Sequence, residues 1–298
     1  MADDQAQHLR SLIGENRAST PTGPRRGIAR TFAVTGGKGG VGKTNIAVAL
    51  AQCAARLGLR VALLDADFGL ANIHVLLGLS PKADLRDVVS GSMRLADTLL
   101  EGPEGIMILP GGSGLPELAN LDAGQRRILL AGLEEIADDF DLLIIDTSAG
   151  IAENILAFVA AADEAIIVSI PEPTALQDAY AVLKIVSARR PDLPFHLLMN
   201  NAASPGEAEA AAKRIAEVAA RFLNKPVSYM GSVPADPAVG SAVRARKPFL
   251  TYAPESPAAI AFTRIAETLL AREIPPASKE LPTFARRLGA LFRLGARI

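Results

Sequence analysis

The sequence predicts an α/β fold, in which helices flank both faces of a mostly parallel, doubly wound sheet. Seven short apolar runs alternate with alanine-rich helical segments along the 298 residues. Continuous apolar strands indicate a sheet buried on both faces, and their alternation with helices indicates parallel crossover connections. Hydrophobic residues make up 49% of the chain, which is ample for one large core.

The predicted elements follow from apolar periodicity and from the turn residues between the runs. Strands are predicted at residues 31–34, 60–65, 106–109, 142–146, 165–170, 195–200 and 227–231. The main helices are predicted at residues 44–57, 122–139, 174–189, 206–222 and 258–271. We therefore divide the chain into an N-terminal docking segment and linker (1–27), one core domain (28–273), and a connector with a basic terminal helix (274–298).

A glycine-rich segment, GGKGGVGKTN, follows the first predicted strand. Gly37, four further residues and then Gly42-Lys43-Thr44 match the spacing of a phosphate-binding loop, in which the lysine reaches the β- and γ-phosphates and the hydroxyl binds Mg²⁺. Glycines let the backbone turn tightly, so that successive N–H groups and the start of the next helix face an anion. The predicted nucleotide contacts are Gly37, Lys38, Gly39, Gly40, Val41, Gly42, Lys43, Thr44 and Asn45.

The same glycines also satisfy the dinucleotide pattern GxGxxG, and Asp65 ends the next strand at a suitable distance for that fold. The pair Lys43-Thr44 favours the phosphate loop. A dinucleotide fold has no use for a cation and a hydroxyl at the start of the helix.

Acidic residues end two further strands. Asp65 ends the second predicted strand, Asp67 follows two residues later and would face the same side if the strand continued, and Asp146 ends the fourth. Because the carboxyl ends of parallel strands meet at one edge of the sheet, these acids are expected beside the phosphate loop. Asp146 is predicted to reach Mg²⁺ through a water, since Mg²⁺ keeps several waters and takes few protein ligands. An aspartate at one such position alone is more often a helix cap or a turn residue.

Lys38 is an additional lysine inside the loop, and an ordinary phosphate loop does not need it. With Lys38 the segment resembles the deviant Walker A motif of the MinD/ParA ATPases. The resemblance implies ATP hydrolysis and an ATP-dependent homodimer, in which Lys38 reaches the nucleotide of the partner subunit. It also implies that Asp67 orients the attacking water. The implied catalytic residues are Lys38, Lys43 and Asp67, the implied magnesium residues are Thr44, Asp65 and Asp146, and the cofactors are ATP and Mg²⁺.

The resemblance further implies where the base is bound. In the MinD/ParA family the first asparagine after the sixth strand contacts adenine, which assigns that role to Asn200. An amide both donates and accepts, as the adenine edge requires. Pro234 and Asp236, in the loop that closes over the ring, are weaker candidates. The alternative is that Asn200 and Asn201 simply form a turn.

The N-terminal segment DDQAQHLRSL resembles that of the FlhG/FleN branch, which sets the number and placement of flagella. The matching residues are Asp4, Gln5, Ala6, Leu9 and Arg10. The resemblance implies that residues 3–13 stimulate an FlhF-like GTPase of the signal-recognition type. Flagellar basal-body or regulatory proteins are further expected partners. Without the resemblance, the simpler explanation of residues 1–13 is a leader segment that has no function, or an arm that packs on the protein's own core.

The C-terminal segment, residues 284–298, carries four arginines and no acid. On a helical wheel Phe284, Leu288, Leu291, Phe292 and Ile298 share one face, and most arginines lie opposite. This pattern is typical of a helix that lies in an anionic membrane surface, and MinD and FlhG end in such a helix. The alternative is a terminal helix docked on the protein's own core.

Charge and cysteine content narrow the function. A net charge of −1 argues against general nucleic-acid binding, so no specific nucleic acid is expected. The lone Cys53 cannot hold a shared iron–sulfur cluster and fits a reducing cytosol. We predict a cytoplasmic protein, peripheral at the inner membrane and able to reach the cell pole. A MinD-type septum regulator, a ParA-type DNA-partition ATPase and a scaffold with a vestigial site stay open as alternatives.

Overall fold

The computed structural model describes residues 30–68, 71–112, 121–271 and 283–295, with side chains as far as residue 292. The predicted docking segment 1–27 and most of the connector lie outside these residues. Within them one mixed sheet has the order β3-β4-β2-β5-β1-β6-β7-β8, parallel except for β3, which runs antiparallel to β4. The strands are β1 Arg30–Thr35, β2 Val61–Ala66, β3 Leu100–Glu101, β4 Met107–Leu109, β5 Leu142–Thr147, β6 Glu164–Ser169, β7 Phe195–Ala202 and β8 Val227–Pro234.

The predicted strands are all confirmed, and β3 is an addition. It spans only two residues, too few for a recognisable apolar alternation. The helices are α1 Lys43–Arg56, α2 Ile73–Leu76, α3 Leu85–Val89, α4 Ala123–Glu135, α5 Glu153–Ala161, α6 Pro173–Arg189, α7 Pro205–Leu223, α8 Pro237–Arg244, α9 Phe249–Tyr252, α10 Pro257–Leu270 and α11 Phe284–Gly295. The sequence did not predict α5. Every residue of this helix from Asn154 to Ala161 is buried, so it lacks the polar face that makes helical periodicity visible.

The helices form two layers. The first layer, α1 with α8, α9 and α10, packs on one face of the sheet. The second layer, α4, α5, α6, α7 and α11, covers the opposite face. Alternate residues of each central strand enter the two cores, as the period of two requires. The predicted doubly wound fold is therefore confirmed.

Helix α11 packs its apolar face on α4 and α5 of the second layer. Phe284, Leu288 and Phe292 are buried there, and the rings of Phe284 and Phe292 lie 6.2 and 6.4 Å from the ring of Phe158. The face that the sequence predicted to enter a membrane is thus covered by the protein itself. This arrangement matches the alternative stated above, and it buries apolar side chains of α5 that would otherwise face water.

Candidate active site

The glycine-rich loop, residues 36–42, joins β1 to α1 at the carboxyl edge of the sheet. Strand β1 lies between β5 and β6, so the loop occupies the topological switch point where α/β sheets bind ligands. Gly40 and Gly42 have positive φ angles of 77° and 93°, a conformation that other residues rarely adopt. The loop is therefore a tight turn whose backbone leads directly into the start of α1.

Two other glycines of the loop are required by close packing. A Cβ atom at Gly36 would lie 2.5 Å from the carbonyl oxygen of Val168, and one at Gly37 would lie 2.4 Å from that of Asp178. The loop is thus pressed against β6 and α6. A side chain at either position would displace it from the sheet.

Lys43 begins α1 and is only 8% exposed. Its Nζ atom lies 3.4 Å from the carbonyl oxygen of Lys38, so the side chain folds back along its own loop. Burial lowers the pKa of Lys43, and the charges of Asp146 and Asp67 oppose that shift. The lysine is therefore placed between the loop and the acids at the ends of β2 and β5.

Asp65 and Asp146 lie side by side, because their residues are paired in the register of β2 and β5. Asp65 is completely buried and Asp146 nearly so. Burial, and after it the charge of Asp65, raises the pKa of Asp146 to about 8. Burial also raises the pKa of Asp65 to about 6, although three hydrogen bonds from backbone amides act to lower it. Two neighbouring buried carboxylates favour a cation or a proton between them.

The acid residues present different atoms to the site. The Thr44 hydroxyl hydrogen-bonds the Asp146 carboxylate, whose Oδ1 atom is buried without a hydrogen-bond partner. Asp65 uses both oxygens on backbone amides: Oδ1 accepts from Asp67 at 3.2 Å, and Oδ2 accepts from Asn72 and Ile73 at 2.9 and 3.0 Å. A hydroxyl beside an unpaired carboxylate oxygen suits Mg²⁺. Thr44 and Asp146 therefore fit the ion best, while Asp65 orders the segment after β2.

Asp67 is the first residue after β2. The alternation of side chains along a strand, which would place Asp67 on the same side as Asp65, therefore does not apply to it. It is half-buried, and its charge acts on Lys43. Its role in orienting water stays a prediction. Gly69 and Leu70, which continue this segment, lie outside the described residues.

Whereas Lys43 is buried, the side chain of Lys38 is 37% exposed. Its Nζ atom lies 2.7 Å from Oε2 of Glu172 and 3.4 Å from Oγ1 of Thr174. Glu172 and Thr174 are not among the predicted site residues. Both lie at the start of α6, just after the carboxyl end of β6. Ligands of parallel sheets bind at the carboxyl ends of strands, and this rule, which predicted the acids of β2 and β5, could also have identified these two residues.

The candidate adenine residues are differently engaged. Asn200 is half-buried near the end of β7, and its Nδ2 atom donates to the carbonyl oxygen of Val41 at 2.8 Å. Pro234 ends β8. Asp236 places Oδ1 2.8 Å from the amide of Ala238 and Oδ2 3.0 Å from that of Ala258, so it caps α8 and ties that helix to α10. Both carboxylate oxygens of Asp236 thus accept hydrogen bonds from the protein's own backbone.

Comparison with known proteins agrees with this geometry. The model of the CobQ/CobB/MinD/ParA nucleotide binding domain matches residues 32–249. The chain is 41% identical over 260 residues to the antiactivator FleN of Pseudomonas aeruginosa, covering 87% of this chain and 93% of FleN. It is 32% identical over 270 residues to the flagellum site-determining protein YlxH of Helicobacter pylori, covering 88% and 90%. The septum site-determining protein MinD of Pyrococcus horikoshii OT3, solved with Mg-ADP, superposes with a TM-score of 0.67 at 25% identity, covering 80% and 95%.

The fold and the loop define a P-loop nucleotide-binding protein. The chain belongs to the CobQ/CobB/MinD/ParA family of nucleotide-binding domains. The predictions of a P-loop ATPase and of ATP and Mg²⁺ as cofactors are confirmed, and so is the resemblance to the FlhG/FleN branch. In the part of the chain that the structure describes, no helix has the length and apolarity needed to cross a membrane.

Proposed function

We propose that this ATPase is a dimerising switch that regulates the number and placement of flagella. The support is its similarity, over almost their whole lengths, to an antiactivator and to a flagellum site-determining protein. In the proposed reaction Lys43 neutralises the phosphates and Asp67 orients the attacking water. Positioning and charge neutralisation of this kind account for most of the catalysis of phosphoryl transfer.

One observation carries the switch: the two lysines of the loop have different surroundings. Lys43 is buried beside the acids of its own site, whereas Lys38 is held at the surface by Glu172. A lysine held at the surface by an exposed carboxylate and a hydroxyl can change partners at low cost, since exposed ion pairs contribute little. In the proposed dimer Lys38 leaves Glu172 and binds the nucleotide of the partner subunit.

Membrane association is proposed through residues 284–298, at the inner membrane and at the cell pole. The docked position of α11 adds a condition. Because Leu288 and Phe292 are buried in the core, the helix must leave α4 and α5 before its apolar face can enter a lipid surface. Two released helices on one dimer would bind together more tightly than one, since the second binds at a high effective concentration.

A partner of the FlhF type is proposed for residues 3–13, which lie outside the described residues. The support is the match of Asp4, Gln5, Ala6, Leu9 and Arg10 to the FlhG/FleN segment. Loss of GTPase stimulation when residues 3–13 are deleted, with ATP binding intact, is the expected result.

The switch is tested by sizing the full chain in solution with Mg-ADP and with a nonhydrolysable ATP analogue and Mg²⁺. We expect a monomer with ADP and a dimer with the analogue, and cells that carry Lys38→Ala should show an altered number of flagella. A protein that stays monomeric with the saturating analogue contradicts the switch. Salt-sensitive binding to nonspecific duplex DNA would favour a ParA-type function instead.

A further inference from the structure

A groove lies between α4 and α11. Its floor is apolar: Leu130 and Ala131 line it from α4, and Gly289 and Phe292 line it from α11. The helices approach closely at Gly289, where an added Cβ atom would lie 2.9 Å from Cδ1 of Leu130. Ala131 is exposed, so the groove is open to solvent. The two helices therefore form one apolar strip together.

The two ends of the groove differ in charge. Arg126 and Arg127 line the end near the start of α4, and no carboxylate among the described residues pairs with either guanidinium. At the other end, Glu134 lies 3.6 Å from Arg286. A complementary ligand is thus elongated and apolar along one side, with acids at the end that meets Arg126 and Arg127 and a cation at the end that meets Glu134.

The chain enters β1 beside the second end of the groove, where α11 begins. Asp163 accepts a hydrogen bond from the amide of Thr31 at 2.9 Å and another from Arg287 at 2.7 Å. The start of β1 and the start of α11 thus meet on one carboxylate. Residues 14–29 can extend over roughly 50 Å, so residues 3–13 can reach any point along the groove.

We infer that residues 3–13 of the same chain, which lie outside the described residues, dock in this groove as a helix parallel to α4. Asp3 and Asp4 then meet the two arginines that lack a partner. Arg10 meets Glu134 at the end from which the chain continues into β1. The segment thus carries its acids and its base in the order that the groove requires.

The length and the apolar face of the segment also fit. A helix over residues 3–13 is about 16 Å long, and α4 is about 20 Å long. Ala6, Leu9 and Ile13 recur at helical spacing and share the face that would meet the floor. An acidic peptide from another protein or a lipid headgroup would also meet the arginines, but a short tether gives residues 3–13 an effective concentration in the mM range.

Docking of residues 3–13 couples the two ends of the chain. Because Gly289 and Phe292 form half of the groove, the docked segment holds α11 on the core, and departure of α11 removes the groove. A GTPase partner of the kind proposed above then finds the segment free only on subunits whose α11 has left. This consequence rests on the proposed function, whereas the docking itself does not.

The test is disulfide formation within the full chain in Mg-ADP. Cys53 is buried, and burial raises the pKa of its thiol to about 11, so it stays unreactive when two cysteines are added. Ala6→Cys with Ala131→Cys should cross-link at least about tenfold faster than Ala6→Cys with Ala210→Cys, because docking raises the effective concentration at one site alone. Ala210 is the matched control, an exposed alanine of α7 that the linker also reaches.

Charge exchange tests the orientation of the segment. Arg126→Glu together with Arg127→Glu should slow the cross-link to Ala131→Cys several-fold, because like charges then meet at that end. Adding Asp3→Lys and Asp4→Lys to the same chain should restore the rate. Thermal melting of each variant verifies that it is folded.

Four results overturn the inference. Equal rates for the two cysteine pairs mean that the segment is tethered but not docked, and charge exchange without restoration contradicts the orientation. A cross-link between two chains assigns the groove to the segment of a second copy. Alkylation of Ala131→Cys that only anionic vesicles slow assigns it to a lipid headgroup. GTPase stimulation and sizing are measured on the wild type, so failure of the proposed function is detected separately.

Discussion

The guanidinium of Arg287 and the carboxylate of Asp163 are joined across 124 positions of sequence, with Nη2 2.7 Å from Oδ1. Nε of Arg287 also donates to the carbonyl oxygen of Ala161 at 2.6 Å. Asp163 is held from the other side by Thr31, whose amide and hydroxyl both donate to its Oδ2 atom. Helix α11 is therefore fixed to the end of α5 by polar bonds as well as by its apolar face.

Arg287→Ala is expected to release α11 more readily. The lost charged hydrogen bonds contribute about 1–3 kcal/mol, which raises the released population about 5-fold to 150-fold. Vesicle flotation with anionic lipids and Mg-ADP should then show more bound protein than the wild type. Arg286→Ala is the matched control, because it removes the same charge from an exposed side chain whose nearest acid, Glu134, lies 3.6 Å away. Equal flotation of both variants would mean that the bonds of Arg287 do not restrain the helix.

Lys43→Ala and Lys38→Ala should separate nucleotide binding from dimerisation. Lys43 faces its own site, so Lys43→Ala should weaken ATP binding about a hundredfold or more, as expected for lost charged contacts to phosphate. Lys38 is bound at the surface to Glu172, so Lys38→Ala should keep nearly wild-type ATP affinity and remain monomeric. Titration calorimetry gives the affinity, and light scattering gives the mass. A dimeric Lys38→Ala protein would contradict the proposal that this lysine joins the two subunits.

Asp67→Ala should retain ATP and stay dimeric, because hydrolysis is what releases the dimer. Asp67 lies beyond β2, outside the phosphate loop, and the Asp67→Ala variant keeps the backbone amide that donates to Asp65. Phosphate release should fall to background while light scattering with Mg-ATP reports a lasting dimer. A monomer with ATP still bound would count against this order of events.

The pH dependence of stability should report the buried pair at the ends of β2 and β5. Burial and the charge of Asp65 raise the pKa of Asp146 from 3.8 to about 8, so between these values the folded state keeps a proton that the unfolded state has lost. The free energy of unfolding without Mg²⁺ therefore falls as pH rises from 5 to 8, by roughly 1–3 kcal/mol. Urea titrations of Asp146→Asn at both pH values should show a smaller fall. An equal fall in the variant would assign the dependence to other groups.

Binding of Mg-ATP should release protons near neutral pH, because a metal site requires the ionised carboxylate. Calorimetry in buffers of different ionisation enthalpy measures this release, and Asp146→Asn should show less of it. The variant should also lose the stabilisation that the wild type gains from Mg²⁺ together with ATP. If Asp146→Asn released as many protons as the wild type, Asp146 would already be ionised in the free protein.

Much of the fold and the site was predictable because the signals are local. The run that ends at Val34, the glycines that follow and the pair Lys43-Thr44 lie within fifteen residues of one another. Strands buried on both faces are visible as continuous apolar segments, and the acids at their ends are visible as interruptions of those segments. Helix α5 was not predicted from the sequence, because its burial on all sides removes the polar positions by which a helical period is recognised.

The sequence by itself determined the phosphate loop, the strands and the acids, since each depends on neighbours along the chain. Only the tertiary structure decided that Asp65 lies beside Asp146, that Lys38 is held by Glu172, and that α11 lies on the core. These contacts join residues far apart in sequence, and strand order and helix packing bring them together. An amphipathic helix suits a lipid surface and a protein groove equally well, because both offer an apolar face, so its partner is set by the surface that the fold leaves open.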